Sequence, residues 1–354
     1  HTLPPSQQYK YLKKLKYQVV NNTTSNKELE IELLQKILRN ERKRSKYEID
    51  GIIVMSDKKH PRNTKGNPDY GFAFKEYGKT KIVKVEKIEW RISKDRKLKP
   101  RVHIKPTQLS GVTITHLTGF NAKFILDNKL GPGSIILIVR SGEVIPHILK
   151  VITPTKPQLP DVPFTWNTTR VDFEAKSNDS ESGHTLDKDH KIQLMVNFVK
   201  KMGIKDVDKK LISKFYDHGI TSIMDIITLT KKKLLTMEGI KDKMANKIHN
   251  HIQESLKKVP LEKIMVATNI FGGTLGSRKL KAIITKYPDI LNWKMEAKKI
   301  IAKIRLIDGF ETKSATVLAE GLPKFQKFLQ QLRDKKLITL ESTTQKKRGS
   351  AYQD

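Results

Sequence analysis

Apolar and polar positions follow three successive patterns along the chain. Near the start, leucines recur at helical spacing between Glu28 and Leu38, which predicts one amphipathic helix. The continuous β-branched run from Ile49 to Met55 predicts a buried strand, and Phe72 to Lys75 predicts a second short strand. Because the polar stretch between these two runs contains Pro and Gly, we expect a loop there.

From residue 80 to residue 152 the chain consists of short apolar runs separated by turn residues. Five runs have the length of strands: Ile82–Trp90, Arg101–Ile104, Gly111–Leu117, Ile135–Arg140 and Val144–Ile152. A small Greek-key barrel of the oligonucleotide/oligosaccharide-binding (OB) type has about that many strands. We therefore expect an OB-fold barrel in this region.

From about residue 191 the pattern becomes helical and contains a weak repeat. Four turn positions recur every 33 to 36 residues, and they are Asp206, Gly239, Gly273 and Gly309. Each follows the end of an apolar helix and precedes another, and a period of this size is typical of stacked helix-turn-helix units. The Pro-, Asn- and Ser-rich stretch before this half has no periodicity, so we expect a connector there.

The turn at Gly239 has a physical interpretation. Glycine allows a tight turn that a Cβ would obstruct, and Ala245 allows two helices to approach closely. The N–H groups at the start of the second helix then point outwards and can bind an anion. This is the helix-hairpin-helix pattern, which holds DNA phosphates without reading bases. A helical bundle with glycine turns is the alternative.

The pattern recurs around Gly273 and Gly309, so we predict one set of phosphate contacts. Its members are Gly239, Ile240, Lys241, Gly273, Gly276, Gly309 and Lys313. In the first unit, Asp206 and Asp208 stand where glycines would be expected. Because two carboxylates would repel a phosphate, we expect that unit to be structural.

The charge balance favours a polyanion as partner. Among 354 residues, 69 Lys and Arg oppose 37 Asp and Glu, which gives a formal net charge of +32. No apolar run approaches the roughly 18 residues of a transmembrane helix, so we expect no membrane partner. The chain has no cysteine, which excludes disulfides, thiolate zinc sites and cysteine nucleophiles.

Asp50 and Lys75 are the candidates for chemistry in the first region. An acidic residue before Gly51 is usually part of a turn, and a lysine after a strand is usually solvated. Together they could supply a carboxylate to a divalent cation and a positive charge to a phosphate, as nucleotidyl transfer requires.

On these residues the chain resembles the NAD-dependent DNA ligases, in the style of large DNA viruses. Tyr47–Val54 resembles nucleotidyltransferase motif IV, and Ala73–Lys75 resembles motif V. Leu109–Asn121 and Val139–Pro146 resemble the OB domain of those ligases, and the helical half resembles their helix-hairpin-helix domain. The resemblance covers roughly residues 1–335.

The resemblance implies roles for individual residues. Asp50 aligns with the acidic residue that supports the catalytic Mg²⁺, and Lys75 with the lysine that contacts the AMP phosphate. Arg42 stands where the family has a nucleotide-site arginine. Arg140 and Gly142 belong to the OB surface that faces nicked duplex DNA. NAD would be the AMP donor of the complete enzyme.

Several family features are missing from the sequence. The Lys-x-Asp-Gly motif of the adenylated lysine does not occur, nor does the domain that binds the nicotinamide half of NAD. Met55 replaces a lysine that usually follows motif IV. The four-cysteine zinc module should lie near residues 163–190, where His184 and His190 are too few for a tetrahedral site, so we expect no zinc. We therefore expect a carboxyl-terminal ligase portion that cannot adenylate itself.

The expected fold class is α+β and multidomain. The expected segments are 1–78, part of the adenylation domain; 79–155, the OB fold; 156–190, the connector; 191–335, the helix-hairpin-helix domain; and 336–354, a disordered basic tail.

The expected function is nick sealing in DNA replication and repair. We expect a monomeric, intracellular protein, in the cytoplasm or a viral replication compartment. Its partners would be nicked duplex DNA and the missing amino-terminal half of the ligase. The alternative is a non-catalytic, sequence-independent DNA-binding module. A nuclease would need paired acidic residues for two metals, which the sequence lacks.

Overall fold

The computed structural model describes most of the chain and divides it into two compact units. The described residues are 3–26, 28–61, 66–75, 80–140, 146–176 and 181–341, without the side chains of 181–186. The first unit comprises residues 1–89, 101–120 and 124–158, and the second comprises residues 90–100, 121–123 and 159–354.

The first unit begins with two helices and a two-stranded sheet. The elements are α1 (Pro5–Lys14), α2 (Ile31–Arg44), β1 (Ile52–Met55) and β2 (Gly71–Phe74). The predicted amphipathic helix is present as α2, which buries Leu34 and Leu38. The prediction of a buried strand was wrong, because β1 is only half-buried and 68% of Ile53 is exposed. A continuous apolar run does not show which of its faces is covered.

The five strands predicted for the OB fold are all present in the structure. They are β3 (Thr80–Ile92), β4 (Lys97–Leu109), β5 (Val112–Thr118), β6 (Ile135–Val139) and β7 (His147–Thr153), with helix α3 (Ala122–Asp127) between β5 and β6. Antiparallel pairs form between β3 and β6, β6 and β7, and β4 and β5. Inward-facing apolar side chains fill the core of this unit, and they include Val85, Ile88, Val102, Ile104, Leu117, Ile125, Ile136 and Ile138.

The turn before β6 requires a glycine. A Cβ at Gly131 would lie 1.9 Å from the carbonyl oxygen of Lys156. This close approach comes from the segment after β7, where Thr155 donates a backbone hydrogen bond to Lys129 (2.8 Å) and Gln158 donates one to Leu130 (3.2 Å). The first unit therefore continues past β7 to residue 158.

The segment expected to be a connector contains a small hairpin, β8 (Phe164–Trp166) and β9 (Phe173–Ala175). β9 also pairs with the start of β4, where Leu98 lies opposite Phe173. Rings of Trp90, Phe164 and Trp166 surround Phe173, which is 2% exposed. Three-residue strands are too short to show a periodicity, which is why the sequence pattern missed them.

Buried Asp172 lies beside this aromatic cluster. Its carboxylate accepts hydrogen bonds from Lys97 (3.1 Å) and Lys99 (2.5 Å). Burial would raise the pKa of Asp172, but the two lysines outweigh burial and hold the pKa below its ordinary value. The hairpin is therefore fixed by an ion pair on one side and by ring packing on the other.

The rest of the second unit is helical and has one continuous core. Its helices are α4 (Glu181–Met202), α5 (Lys209–Asp217), α6 (Ile223–Ile227), α7 (Lys231–Leu235), α8 (Asp242–Ser255), α9 (Leu261–Ala267), α10 (Ser277–Lys286), α11 (Ala297–Arg305) and α12 (Thr312–Asp334). The core includes Phe198, Phe215, Phe271 and Phe325. At Gly321 a Cβ would lie 2.7 Å from the Phe271 ring, so glycine allows this contact.

The ordered chain extends beyond the boundary predicted for the tail. Val259 donates a backbone hydrogen bond to Thr339 (2.8 Å), and Ile338 is buried against the helical core. The structure therefore places residues 336–341 with the helical domain. Residues 342–354 lie outside the described residues.

Candidate nucleic-acid interface

The turns at Gly239 and Gly309 have the same geometry. Their φ angles are 78° and 77°, in the left-handed region that favours glycine. In each turn the residue after the glycine donates to the carbonyl three residues earlier, Ile240 to Met237 and Phe310 to Ile307, both at 3.1 Å. The sequence therefore builds one hairpin twice, as predicted.

Each of these hairpins leads directly into a helix with open N–H groups. The N-cap residues are Lys241 for α8 and Glu311 for α12, and neither helix has a side-chain cap among the described residues. The first backbone bonds run from Ala245 to Lys241 (2.9 Å) and from Ala315 to Glu311 (3.1 Å). The N–H groups before these alanines have no helical acceptor, so they can bind an anion.

The predicted residues of these two hairpins have different roles. Lys241 is exposed beside the start of α8, and Lys313 is exposed in the first turn of α12. Ile240 is buried, and its N–H is already bonded within the turn. Ile240 therefore shapes the hairpin, and it offers neither its side chain nor its N–H to a ligand.

The first helix-hairpin-helix repeat also has a residue with a positive φ at its turn, but the start of its second helix is capped. Asp206 takes the position of the glycine with a φ of 59°, and its carboxylate lies 3.3 Å from Nδ1 of His251. Asp208 caps α5 by accepting a hydrogen bond from the Leu211 N–H (2.8 Å). Both carboxylates thus have structural partners.

Two lysines that the sequence did not single out reach the hairpins from preceding helices. Nζ of Lys214, on α5, donates to the carbonyl of Glu238, directly before Gly239. Nζ of Lys279, on α10, lies 5.5 Å from the centre of the Phe310 ring. The sequence offers no signal for either, because the helical half has many exposed lysines at similar spacing.

A cleft of about 780 Å³ lies between the first and second hairpins. Its residues are Asp206, Val207, Asp208, Leu211, Gly239, Lys241, Lys243, Met244 and Lys247. The three lysines bring positive charge to the side of the cleft that carries Gly239. The open N–H groups of α8 therefore lie at a basic surface.

The third turn differs from the predicted pattern. The glycine with a positive φ is Gly272 (58°), and Gly273 instead lies against the carboxylate of Asp95. A Cβ at Gly273 would be 3.1 Å from Asp95 Oδ2. Gly276 is the N-cap of α10, and nothing lies within 4 Å of its Cβ position.

The predicted OB residues are only partly described. Nη1 of Arg140 donates to the carbonyl of Ser110 (2.7 Å), so this guanidinium supports the turn between β4 and β5. Gly142 lies outside the described residues.

The three predicted nucleotide-site residues do lie together. Asp50 and Lys75 form an ion pair, and Arg42 donates to the carbonyls of Ile49 and Asp50, both at 3.3 Å. A Cβ at Gly51 would lie 2.5 Å from the Phe74 carbonyl oxygen, so glycine lets the segment before β1 approach the end of β2. The side chains of Asp50 and Lys75 are about half exposed.

A metal centre does not follow from this geometry. The Asp50 carboxylate is already paired with Lys75, and in the described part of the chain no group of three or more His, Asp or Glu residues could hold an ion. Mg²⁺ is usually bound by one or two carboxylates together with substrate phosphates and water, so Asp50 alone does not define a magnesium site. In the connector, His190 donates from Nε2 to the Lys94 carbonyl (2.9 Å), and the side chain of His184 lies outside the described residues.

An OB fold followed by helix-hairpin-helix units defines the class of protein. Residues 82–159 match the family of the NAD-dependent DNA ligase OB-fold domain, and residues 201–254 match the SAM-like helix-hairpin-helix tandem. The chain therefore contains the OB-fold domain of the NAD-dependent DNA ligases and a helix-hairpin-helix tandem behind it.

Relatives that match most of the chain agree with these domains. The chain is 37% identical to a DNA ligase of Acanthamoeba polyphaga mimivirus over 91% of its own length and 50% of the relative. It is 28% identical to a DNA ligase of Psychromonas ingrahamii, over 78% of its own length and 42% of the relative. It is 26% identical to a DNA ligase of Persephonella marina, over 72% of its own length and 38% of the relative. The chain thus spans about half the length of these relatives or less. None of the described helices is long and apolar enough to cross a membrane.

Proposed function

We propose that the chain is the DNA-holding portion of an NAD-dependent DNA ligase, an enzyme that seals nicks in duplex DNA. One observation carries this proposal. The hairpins at Gly239 and Gly309 share one geometry, and both present a helix start without a side-chain cap. Two equal anion sites on one unit suit the repeating phosphates of a DNA backbone.

In this proposal, backbone N–H groups and lysines together bind the phosphates. The N–H groups belong to the first turns of α8 and α12, and the lysines beside them are Lys241, Lys313, Lys214 and Lys279. Gly276 leaves the start of α10 open in the same way. Arg140 adds positive charge on the OB unit. These contacts read no bases, so affinity is nearly independent of sequence.

The test replaces Gly239 and Gly309 by Asp in one double variant. The left-handed φ strains any side chain at these positions, but Asp206 has a φ of 59° at the equivalent position, so we expect the double variant to fold. Each new carboxylate repels the phosphate at its hairpin. We expect weaker binding to fluorescent nicked duplexes of any sequence, and a log–log salt slope that is less steep by about 0.9 per lost phosphate contact.

Gly219→Asp is the matched control for this double variant. Gly219 has a φ of 82° and nothing within 4 Å of its Cβ position, but the next helix is capped by Ser222. It adds a similar charge in a similar backbone conformation, away from an open helix start. If Gly219→Asp weakens DNA binding as much as either hairpin variant, the loss of affinity comes from the change in net charge and not from a phosphate site at the hairpins. Unchanged binding in the folded double variant would remove them from the DNA site.

We further propose that Lys75 binds the AMP phosphate when the complete enzyme uses NAD. Asp50 holds the Lys75 ammonium, and Arg42 holds the Asp50 segment. The sequence has no Lys-x-Asp-Gly motif, so the chain by itself should form no covalent adduct with AMP from NAD. On a nick that already carries 5′-AMP, only strand joining remains, and Lys75→Ala should reduce any sealing. A stable adduct on this chain, detected by mass spectrometry, would refute the proposed lack of self-adenylation.

The second candidate function is a non-catalytic DNA-binding module, which would need only the OB fold and the helix-hairpin-helix units. Both candidates predict the same DNA binding. A nicked duplex that already carries 5′-AMP distinguishes the two candidates. Joining of its strands in the presence of Mg²⁺ supports the ligase, and no joining at saturating protein supports the module.

A further inference from the structure

The tip of the β3–β4 hairpin reaches the third turn of the helical domain. Residues Trp90–Pro100, which we call the hairpin tip, belong to the second unit together with the helices. The Asp95 carboxylate lies 3.1 Å from the Cβ position of Gly273 and 3.9 Å from that of Gly272. A side chain of the chain itself therefore covers the glycines of this turn.

Asn269 joins the hairpin tip to the turn. Its Nδ2 donates to Asp95 Oδ1 and to the Lys94 carbonyl, both at 3.1 Å, and its Oδ1 accepts from Lys94 Nζ (2.6 Å). Asn269 has a φ of 56°, a conformation that asparagine adopts more readily than most residues. The amide thus binds Lys94 through both of its ends and Asp95 through Nδ2.

Two further segments hold the hairpin tip from other directions. His190 on α4 donates from Nε2 to the Lys94 carbonyl (2.9 Å). Nη1 of Arg96 pairs with Asp187 (2.7 Å), and the Ala175 N–H donates to the Arg96 carbonyl (2.9 Å). The contact is therefore built from three separate parts of the second unit.

Charge decides what this turn can bind. The Asp95 side chain is 25% exposed and pairs with Lys94 (2.9 Å). Burial opposes its ionisation, but hydrogen bonds from Lys94 and Asn269 hold the pKa of Asp95 below its ordinary value, so it is a carboxylate at neutral pH. A phosphate at Gly273 would have to displace this carboxylate or lie beside it.

We propose that the third turn is a socket for the Asp95 carboxylate and does not bind a DNA phosphate. The turn at Gly272 and Gly273 fixes the hairpin tip to the helical domain, and the phosphate contacts belong to the hairpins at Gly239 and Gly309 and to the open end at Gly276. The part of this proposal that concerns DNA rests on the function proposed above, whereas the docking of Asp95 does not.

A double-mutant cycle tests the docking. Gly273 does not have a positive φ, so Gly273→Ala is acceptable to the backbone, but its Cβ would crowd Asp95. We expect Gly273→Ala to lower the thermal midpoint in the wild-type chain and to have less effect when Asp95 is already Ala. Gly276→Ala is the control and should show no coupling to Asp95. Additive effects of Gly273→Ala and Asp95→Ala would overturn the socket.

Limited trypsin digestion, with the cleavage sites located by mass spectrometry, provides a second measurement at the hairpin tip. Lys94, Arg96 and Lys97 are cleavage sites within it. Asn269→Gly keeps the left-handed conformation and removes the amide, so cleavage among these residues should accelerate about tenfold, as local opening becomes easier. Lys257→Gln, outside the contact, is the control. Unchanged cleavage in Asn269→Gly would contradict the docking. In the double-mutant cycle, Asp95→Asn replaces Asp95→Ala if Asp95→Ala fails to fold.

Binding to duplex DNA separates this proposal from the general one. Gly273→Ala and Asp95→Ala should leave the salt slope unchanged. If Asp95→Ala instead makes the slope steeper by about one phosphate contact, and Gly273→Asp then weakens binding, the third turn is a DNA site and the socket is refuted. Failure of the Gly239 and Gly309 variants would refute the DNA proposal but leave the coupling of Asp95 to Gly273 intact.

Discussion

Replacing Asp172 by Asn should destabilise the second unit measurably. Asp172 is 5% exposed, and its two oxygens bind Lys97 and Lys99. Asn keeps the shape and removes the charge, which leaves two ammonium groups facing a neutral amide. Breaking a fully buried pair costs about 3–5 kcal/mol.

The exposure of the lysines reduces this cost. Their side chains are 35% and 45% exposed, so water can solvate them once the carboxylate is gone. We therefore expect a loss of about 2 kcal/mol in the free energy of unfolding at pH 7. For a unit of this size that corresponds to roughly 4–8 °C in the thermal midpoint.

The same carboxylate predicts a pH dependence. Its pKa in the folded protein lies below 3.8, so its contribution is fully present above about pH 4 and is lost as the pH falls through the folded pKa. The difference between wild type and Asp172→Asn should therefore be constant from pH 7 to about pH 4.5 and shrink below pH 4.

Urea unfolding at several pH values measures both quantities. Glu174→Gln is the control, because it removes the same charge two residues further on, in β9, at a half-buried position outside this ion pair. A loss below about 0.5 kcal/mol in Asp172→Asn, or a difference that persists unchanged at pH 3, would refute this account of the ion pair.

Three further perturbations have defined outcomes. Burial lowers the pKa of His190, so the free energy of unfolding should fall as the pH drops below about 6.5. His190→Gln should make the free energy of unfolding less dependent on pH in that range. Gly131→Ala puts a Cβ 1.9 Å from the Lys156 carbonyl and should cost about 2–4 kcal/mol in urea unfolding. Lys214→Gln and Lys279→Gln should each reduce the salt slope of DNA binding by up to about 0.9.

Each of these predictions has its own contradicting result. For His190, an equal acid-dependent loss in wild type and His190→Gln would assign the loss to other groups. For Gly131, the open position Gly276 is the control, and equal effects of Ala at both would contradict the close approach. For the lysines, Lys257, which pairs with Glu254, is the control and should have the smaller effect.

The sequence predicts those parts of the fold that depend on local pattern. The OB strands appear as separate β-branched runs, and the turns at Gly239 and Gly309 follow from glycine at a position that needs a left-handed φ. Asp50, Lys75 and Arg42 could be grouped only through the resemblance to a family. The structure then brings them together, but their roles remain predictions.

Contacts between distant segments were not predictable from pattern. Asn269 and Asp95 are 174 residues apart, and nothing in either segment indicates the other. The left-handed glycine of the third turn is Gly272 rather than Gly273, because a repeat spacing fixes a turn only to within a residue or two. Lys214 could not be recognised either, since its role depends on which hairpin its helix packs beside.

The four hairpins also have consequences for how such a domain can be lengthened or shortened. Lys214, on the helix after the first turn, reaches the second hairpin, and Lys279, on the helix after the third turn, reaches the fourth. In each case a repeat whose turn lies beside a carboxylate, Asp206 in the first and Asp95 in the third, places a lysine at the hairpin of the repeat that follows. A pair of repeats, rather than a single repeat, would then be the unit that keeps each hairpin together with its lysine. Duplication or loss of a whole pair would preserve a working phosphate site, whereas gain or loss of one repeat would leave a hairpin without its lysine.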